Sequence, residues 1–245
     1  MTRLVIHADD VGMCHGANRA YVELSAAGTI TSGSVMVPCP WFPEMAALAA
    51  DADTLDLGVH LTLNAEKSSY RWGPVSAATS SSGLVDPDGY LWRRVADVRA
   101  NAHPEAVEQE WRAQIDRALA AGIRVTHLDA HMGAALAPEW CDRYIQVGAD
   151  YDLPVLITKT LERYGPHKHL AGVAEAEFAP FVAMAREAGM PVFDRVLETD
   201  FARPTHRGPD YEGMLSGLDD ELVFCAFHPN APGPGEVEVI EPDTF

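Results

Sequence analysis

Seven short apolar runs, separated by stretches of helical periodicity, constrain what this chain can fold into more than any other feature. They lie near residues 3–8, 33–37, 57–63, 123–128, 154–157, 191–196 and 222–227 and carry many β-branched side chains. Runs of this length read as strands buried on both faces, the kind found in parallel sheets. Between them, Ala17, Ala20, Tyr21 and Leu24 form a helical stripe closed by Gly28. Val107, Trp111, Ile115, Ala118 and Leu119 form a second, opened by Pro104 and closed by Gly122. Phe178, Phe181, Val182, Ala185 and Ala188 form a third, ending at Gly189. Strand–helix alternation predicts an α/β fold with right-handed crossovers. Polar motifs end several of the runs, and a barrel brings such strand ends to one mouth, so a barrel is expected over an open sheet.

With 245 residues and no low-complexity linker, residues 1–245 are expected to form a single domain. Two segments interrupt the rhythm. Residues 64–103 hold a Ser-rich tract, a turn at Asp86-Pro87-Asp88-Gly89 and the aromatics Tyr70, Trp72, Tyr90 and Trp92. Residues 159–172 hold Tyr164-Gly165-Pro166-His167-Lys168-His169. Insertions of this size on an α/β domain commonly lie over the active face, and Tyr70, Trp72 and Trp92 are candidates to stack on a sugar ring. A small satellite core explains the same aromatics equally well.

The formal net charge of −18 argues against nucleic acid or an anionic membrane as a partner. No run has the length of a membrane span, and the N-terminus reaches its acidic pair too early for a signal peptide, which predicts a cytoplasmic protein. Cys14, Cys39, Cys141 and Cys225 are scattered without a Cys-x-x-Cys pair, so they are expected in the core and not in a metal ribbon or disulfide framework.

Chemistry concentrates at the strand ends. In Val125-Thr126-His127-Leu128-Asp129-Ala130-His131, alternation puts His127, Asp129 and His131 on one face of a strand. His60 ends the run Leu57-Gly58-Val59-His60, and taken alone it is more often a core histidine than a ligand. Asp9 and Asp10 end the first run. A regular strand would point them to opposite faces, so the chain must turn there, and Gly12 permits it. Asp10 as cap of the next helix is the plain alternative to a metal-and-base pair. His228 ends the last run before Pro229 and suits a general acid at the same mouth.

The ordered set Ala8-Asp9-Asp10-Val11-Gly12, Gly58-Val59-His60-Leu61-Thr62-Leu63, Thr126-His127-Leu128-Asp129-Ala130-His131 and Phe227-His228-Pro229 resembles the YdjC/ChbG-type carbohydrate deacetylases, from residue 4 to about 230. The resemblance implies a deformed TIM-like (β/α) barrel of about seven parallel strands, with insertions at the active-site face. It implies metal-dependent removal of an N-acetyl group from an amino sugar or chitooligosaccharide-like substrate, and makes a homodimer a reasonable assembly. It also implies a metal site of Asp10, His60 and His131, with Asp9 as the base. His127 and Asp129 then orient the ligands, and His228, if protonated, serves the departing amine. The sequence departs from the family pattern at His7, where Asn is common, and at Val11, Met132-Gly133-Ala134-Ala135 and Asn230. It also stops at Phe245, short of a final helix that such proteins often have.

Zn²⁺ and Mg²⁺ rank together as the expected ion, and Mn²⁺, Co²⁺ and Ni²⁺ also suit one carboxylate and two imidazoles. The rival expectations are a metal-dependent hydrolase of another amide or ester bond, and a non-catalytic carbohydrate-binding barrel.

Overall fold

The computed structural model describes residues 2–199, 210–219 and 221–231, apart from positions 51 and 53. The expected early end of the chain lies outside the described residues. Six parallel strands form one sheet: β1 (Arg3–Val11), β2 (Ser32–Val35), β3 (Leu57–Leu61), β4 (Val125–Ala130), β5 (Arg195–Glu198) and β6 (Leu222–Phe227). Their order is β4-β3-β2-β1-β6-β5. Every residue of β2 and β3 is buried, as expected for strands covered on both faces.

The seventh expected strand closes the ring in a weaker form. Residues 154–159 run between β4 and β5 as extended chain joined by isolated bridges, Leu128 to Val155 and Thr158 to Phe193. The Leu128 N–H donates to Pro154 O at 2.9 Å, and the Phe193 N–H donates to Ile157 O at 2.9 Å. Pro154 has no N–H to give, which helps keep this member from a full ladder. The result is a deformed TIM-like barrel whose strand C-termini share one mouth.

Helices α1 (His15–Ala26), α2 (Phe42–Ala50), α3 (Val95–Asn101), α4 (Pro104–Ala120), α5 (Cys141–Asp150), α6 (Glu175–Glu187) and α7 (Tyr211–Leu215) complete the fold. α4 starts at Pro104 and buries Val107, Trp111, Ile115 and Ala118, while Leu119 from the same expected stripe stays exposed. α4 also buries two polar residues that hold neighbouring chain in place. Gln114 accepts from the Thr62 N–H at 2.9 Å and donates to Thr62 O at 2.8 Å, just past the end of β3. Glu110 accepts from the N–H groups of Val75 and Ser76 at 2.8 and 2.9 Å, tying the 64–103 insertion to the barrel. Buried carboxylates and amides satisfied in this way hold irregular chain that has no sheet partner. All four cysteines are free and buried. Among the described residues no helix is long and apolar enough to cross a membrane.

Candidate active site

The two adjacent aspartates meet the steric problem posed by alternation through a backbone bulge. Pairing of β1 with β2 slips between Ala8 and Val11, and Asp10 takes φ of 60°, in the left-handed region. Both carboxylates thereby line one cavity of about 320 Å³ at the strand C-termini. Gly12 continues the turn at φ 87°, where a Cβ would lie 2.9 Å from Val35 Cγ2. Asp10 does not cap the next helix. Cys14 does, its Sγ accepting from the Ala17 N–H at 3.4 Å.

Asp10, His60 and His131 bring one ligand atom each within 4.8 Å of one another. Asp10 Oδ1 is 3.0 Å from His131 Nδ1 and 3.4 Å from His60 Nε2. Each imidazole has its far nitrogen on a second carboxylate. His60 Nδ1 lies 2.9 Å from Asp129 Oδ1, and His131 Nε2 lies 2.9 Å from Glu66 Oε2. His228 Nε2 stands 3.8 Å from Asp9 Oδ2 and 3.9 Å from Asp10 Oδ2.

Three expected residues have other surroundings. His127 shares a strand face with Asp129 but touches none of the proposed ligands. Its Nδ1 pairs with Thr126 Oγ1 at 2.9 Å and approaches Asp56 at 3.6 Å. It lines a separate cavity with Val5, Ser32, Phe193 and Phe224, at the opposite end of the barrel. Two residues along a strand span about 6.6 Å, so alternation put His127 on the right face and at the wrong depth. Trp72 is 3% exposed and donates its indole N–H to Asn64 O at 2.8 Å, so it has no open face for a sugar. Its ring stands 6.4 Å from that of His131, edge-on. Tyr70 donates its hydroxyl to Met13 O at 2.6 Å and packs edge-on against Trp72. Trp72 is part of the main hydrophobic core and Tyr70 packs against it, so these rings form neither a stacking wall nor a separate satellite core. Trp92 donates its N–H to Gly83 O at 2.7 Å, yet still lines an outer groove that continues from the cavity past Glu66, Met132 and Lys168.

Sequence reasoning missed His7, Glu66 and Glu198. His7 is fully buried, with Nε2 3.1 Å from Asp129 Oδ2 and 3.5 Å from Asp9 Oδ1, and Nδ1 2.8 Å from Ser32 Oγ. A signal for it existed, since His7 and Asp9 are two apart on one strand. Glu198 ends β5 and lines the cavity, which its place at a strand end would have suggested. Glu66 follows the end of β3 inside the insertion, where no periodicity applies.

Electrostatics bear on what the cavity can hold. Burial raises the Asp9 carboxyl well above its usual range, reinforced by Asp129, Asp10 and Glu198. Burial also pushes up on Asp10 and Asp129, but the neighbouring histidines outweigh it and hold both carboxyls well below the usual range. His60 and His131 are raised against the opposing pull of burial, by Asp129 and Asp10 for the first and by Glu66 and Asp10 for the second, His131 to about 9. Burial lowers His7 and His228 to about 4. Without a cation, protons on His60 and His131 balance the carboxylates. A divalent ion can take their place, and one carboxylate with two imidazoles is a suitable donor set. Asp9 Oδ1 is buried without a hydrogen-bond partner among the described residues, in keeping with a further group sitting beside it.

These shifts set a pH profile for the metal-free protein. His131 is raised from 6.5 to about 9, so its contribution to stability is full below pH 6.5 and is lost as pH rises towards 9. His7 and His228 are depressed from 6.5 to about 4, so their contribution is full above pH 6.5 and is lost as pH falls towards 4. Thermal melting of metal-free protein should therefore fall as pH rises from 6.5 towards 9, and saturating Zn²⁺ should flatten that alkaline limb; on the acid side His7 and His228 work against Asp9, whose raised carboxyl gives up its contribution as pH climbs. An alkaline limb unchanged by Zn²⁺ would contradict exchange of His131's proton for the ion.

A family model described as YdjC-like protein matches residues 3–244. Two relatives named carbohydrate deacetylase are similar to this chain. The one from Thermus thermophilus is 37% identical over 162 residues, covering 66% of this chain and 56% of that protein. The one from Brevibacillus brevis is 35% identical over 153 residues, covering 62% and 58%. The matched stretch spans somewhat more than half the length of these curated relatives. A solved structure from Enterococcus faecalis V583, named for cellobiose-phosphate cleavage, has a TM-score of 0.73 over 99% of this chain and 84% of that one. Its identity of 23% makes this a likeness of fold alone.

Proposed function

The chain belongs to the YdjC-like protein family, and on that premise we propose that it is a metal-dependent hydrolase removing the N-acetyl group from an amino sugar or chitooligosaccharide-like substrate. The observation that carries this reading is the meeting of Asp9 and His228 with the Asp10–His60–His131 cluster in one cavity at the strand ends. The naming of its relatives as carbohydrate deacetylases supports the same chemistry.

Asp10, His60 and His131 would hold the ion, which when bound supplies Lewis acidity that activates water and polarises the acetamide carbonyl. Asp129 holds His60 by Nδ1, leaving Nε2 directed at Asp10. Asp9 accepts the proton of the attacking water as the new C–O bond forms. A bound cation would lower the raised pKa of Asp9 towards the range a base needs. His228 enters neutral, because burial holds it near 4. It therefore draws on the proton that Asp9 has taken up, the present 3.8 Å separation closing to hydrogen-bond reach in the substrate complex, and passes it to the departing nitrogen as the amide C–N bond breaks. Acetate and the free amino sugar result. Zn²⁺ and Mg²⁺ remain the leading ions, with Mn²⁺, Co²⁺ and Ni²⁺ admissible for this donor set.

The direct test is acetate release from N-acetylglucosamine and its short oligomers with each of these ions. Acetate should appear in equal number with new primary amines and vanish on chelation. Cleavage of an ester or non-sugar amide, with no acetate from any acetylated sugar, would replace the deacetylase with the rival hydrolase.

A further inference from the structure

We propose that Glu66 is a positioning residue for the metal centre, and that the 64–103 insertion serves to carry it there. This rests on reading Asp10, His60 and His131 as ligands. His131 presents Nδ1 to Asp10 at 3.0 Å and Nε2 to Glu66 Oε2 at 2.9 Å. A carboxylate on the far ring nitrogen fixes both tautomer and ring orientation, because Nε2 then bears the proton and Nδ1 is left with its lone pair. Asp129 makes the matching contact to His60 from inside the barrel. Glu66 makes it from outside, where no strand supplies a side chain.

The insertion is built to hold Glu66. The Ala65 N–H donates to Trp92 O at 2.9 Å, and Arg93 Nε–H donates to Glu66 O at 2.9 Å. Trp72 ties down Asn64 O at 2.8 Å and stands edge-on to His131, confining the imidazole from the side. Lys67 Nζ lies 3.5 Å from the other oxygen of Glu66. Trp72 thus braces His131 in place of offering a stacking face.

Charge and reach can be separated by substitution. Glu66→Gln keeps the length and a hydrogen-bond acceptor but loses the charge. Glu66→Asp keeps the charge but retreats by one methylene, about 1.5 Å. The readouts are Zn²⁺ affinity of the full chain and the ¹⁵N-resolved His131 Nε2–H signal, each with Glu66→Ala as the reference. For a positioning role, Glu66→Ala and Glu66→Asp should bind Zn²⁺ about 10–100-fold more weakly and lose the Nε2–H signal to solvent exchange. Glu66→Gln should keep that signal and recover most of the affinity. The proposal is overturned if Glu66→Asp binds like wild type while Glu66→Gln does not, or if Glu66→Ala retains the Nε2–H signal. Failure of wild type to bind any divalent ion would instead sink the metal-centre reading. The Nε2–H comparison in metal-free protein would then still decide whether Glu66 holds His131.

Discussion

Asp9→Asn protein is expected to bind Zn²⁺ or Mn²⁺ about as well as wild type and to release acetate roughly 10²–10⁴-fold more slowly, the range for loss of a general base. The substitution is isosteric, and Asp9 clusters with His7 and Asp129, apart from the Asp10–His60–His131 group. It removes the one carboxylate in the cavity that has a buried oxygen without a hydrogen-bond partner among the described residues. It also removes the proton source available to His228, so attack and departure of the amine should both suffer. The loss should fall on kcat more than on KM, because the proton moves only in the transition state. Turnover within a few-fold of wild type would reject Asp9 as the base. Loss of the ion together with turnover would assign Asp9 to the ligands.

His131→Ala should abolish stoichiometric ion binding, and turnover should fall to background. The expected weakening exceeds the about 10–100-fold attributed to an orienting group, because a donor atom itself is removed. The residue is 5% exposed and lies between Asp10 and Glu66, so truncation leaves two carboxylates facing each other without the imidazole. Isothermal titration of a variant shown to be folded by circular dichroism separates ion loss from unfolding. One ion per chain retained by the folded variant would remove His131 from the ligand set. The same experiment on wild type measures the stoichiometry on which the proposed function depends.

Much of this site was legible because strands announce themselves. Asp9, Asp10, His60, Asp129 and His131 all stand at or just past the ends of apolar runs, and parallel strands turn those ends the same way. His127 shows the limit of that logic. Alternation reports which face a side chain takes but carries no information about depth within the barrel. His7 was hidden for a related reason: its partners Ser32, Ser34 and Asp129 lie on other strands, and only the register between strands reveals them. The insertion misled differently. Its aromatics suggested a sugar wall, yet hydrogen bonds from Tyr70 and Trp72 to Met13 and Asn64 commit those two rings to packing.

By itself the amino-acid sequence determined the α/β alternation and which carboxylates and histidines end the apolar runs. These follow from local periodicity, which depends on near neighbours only. Tertiary structure alone decided how the chemistry is apportioned. The bulge at Asp10 turns two adjacent carboxylates into one cavity. The pairing of β3 with β4 sets His60 directly against Asp129, and the return of the insertion brings Glu66 to His131. Such contacts depend on backbone conformation and register between segments far apart in sequence, and the carboxylate they bring to one ring nitrogen decides which nitrogen carries the proton.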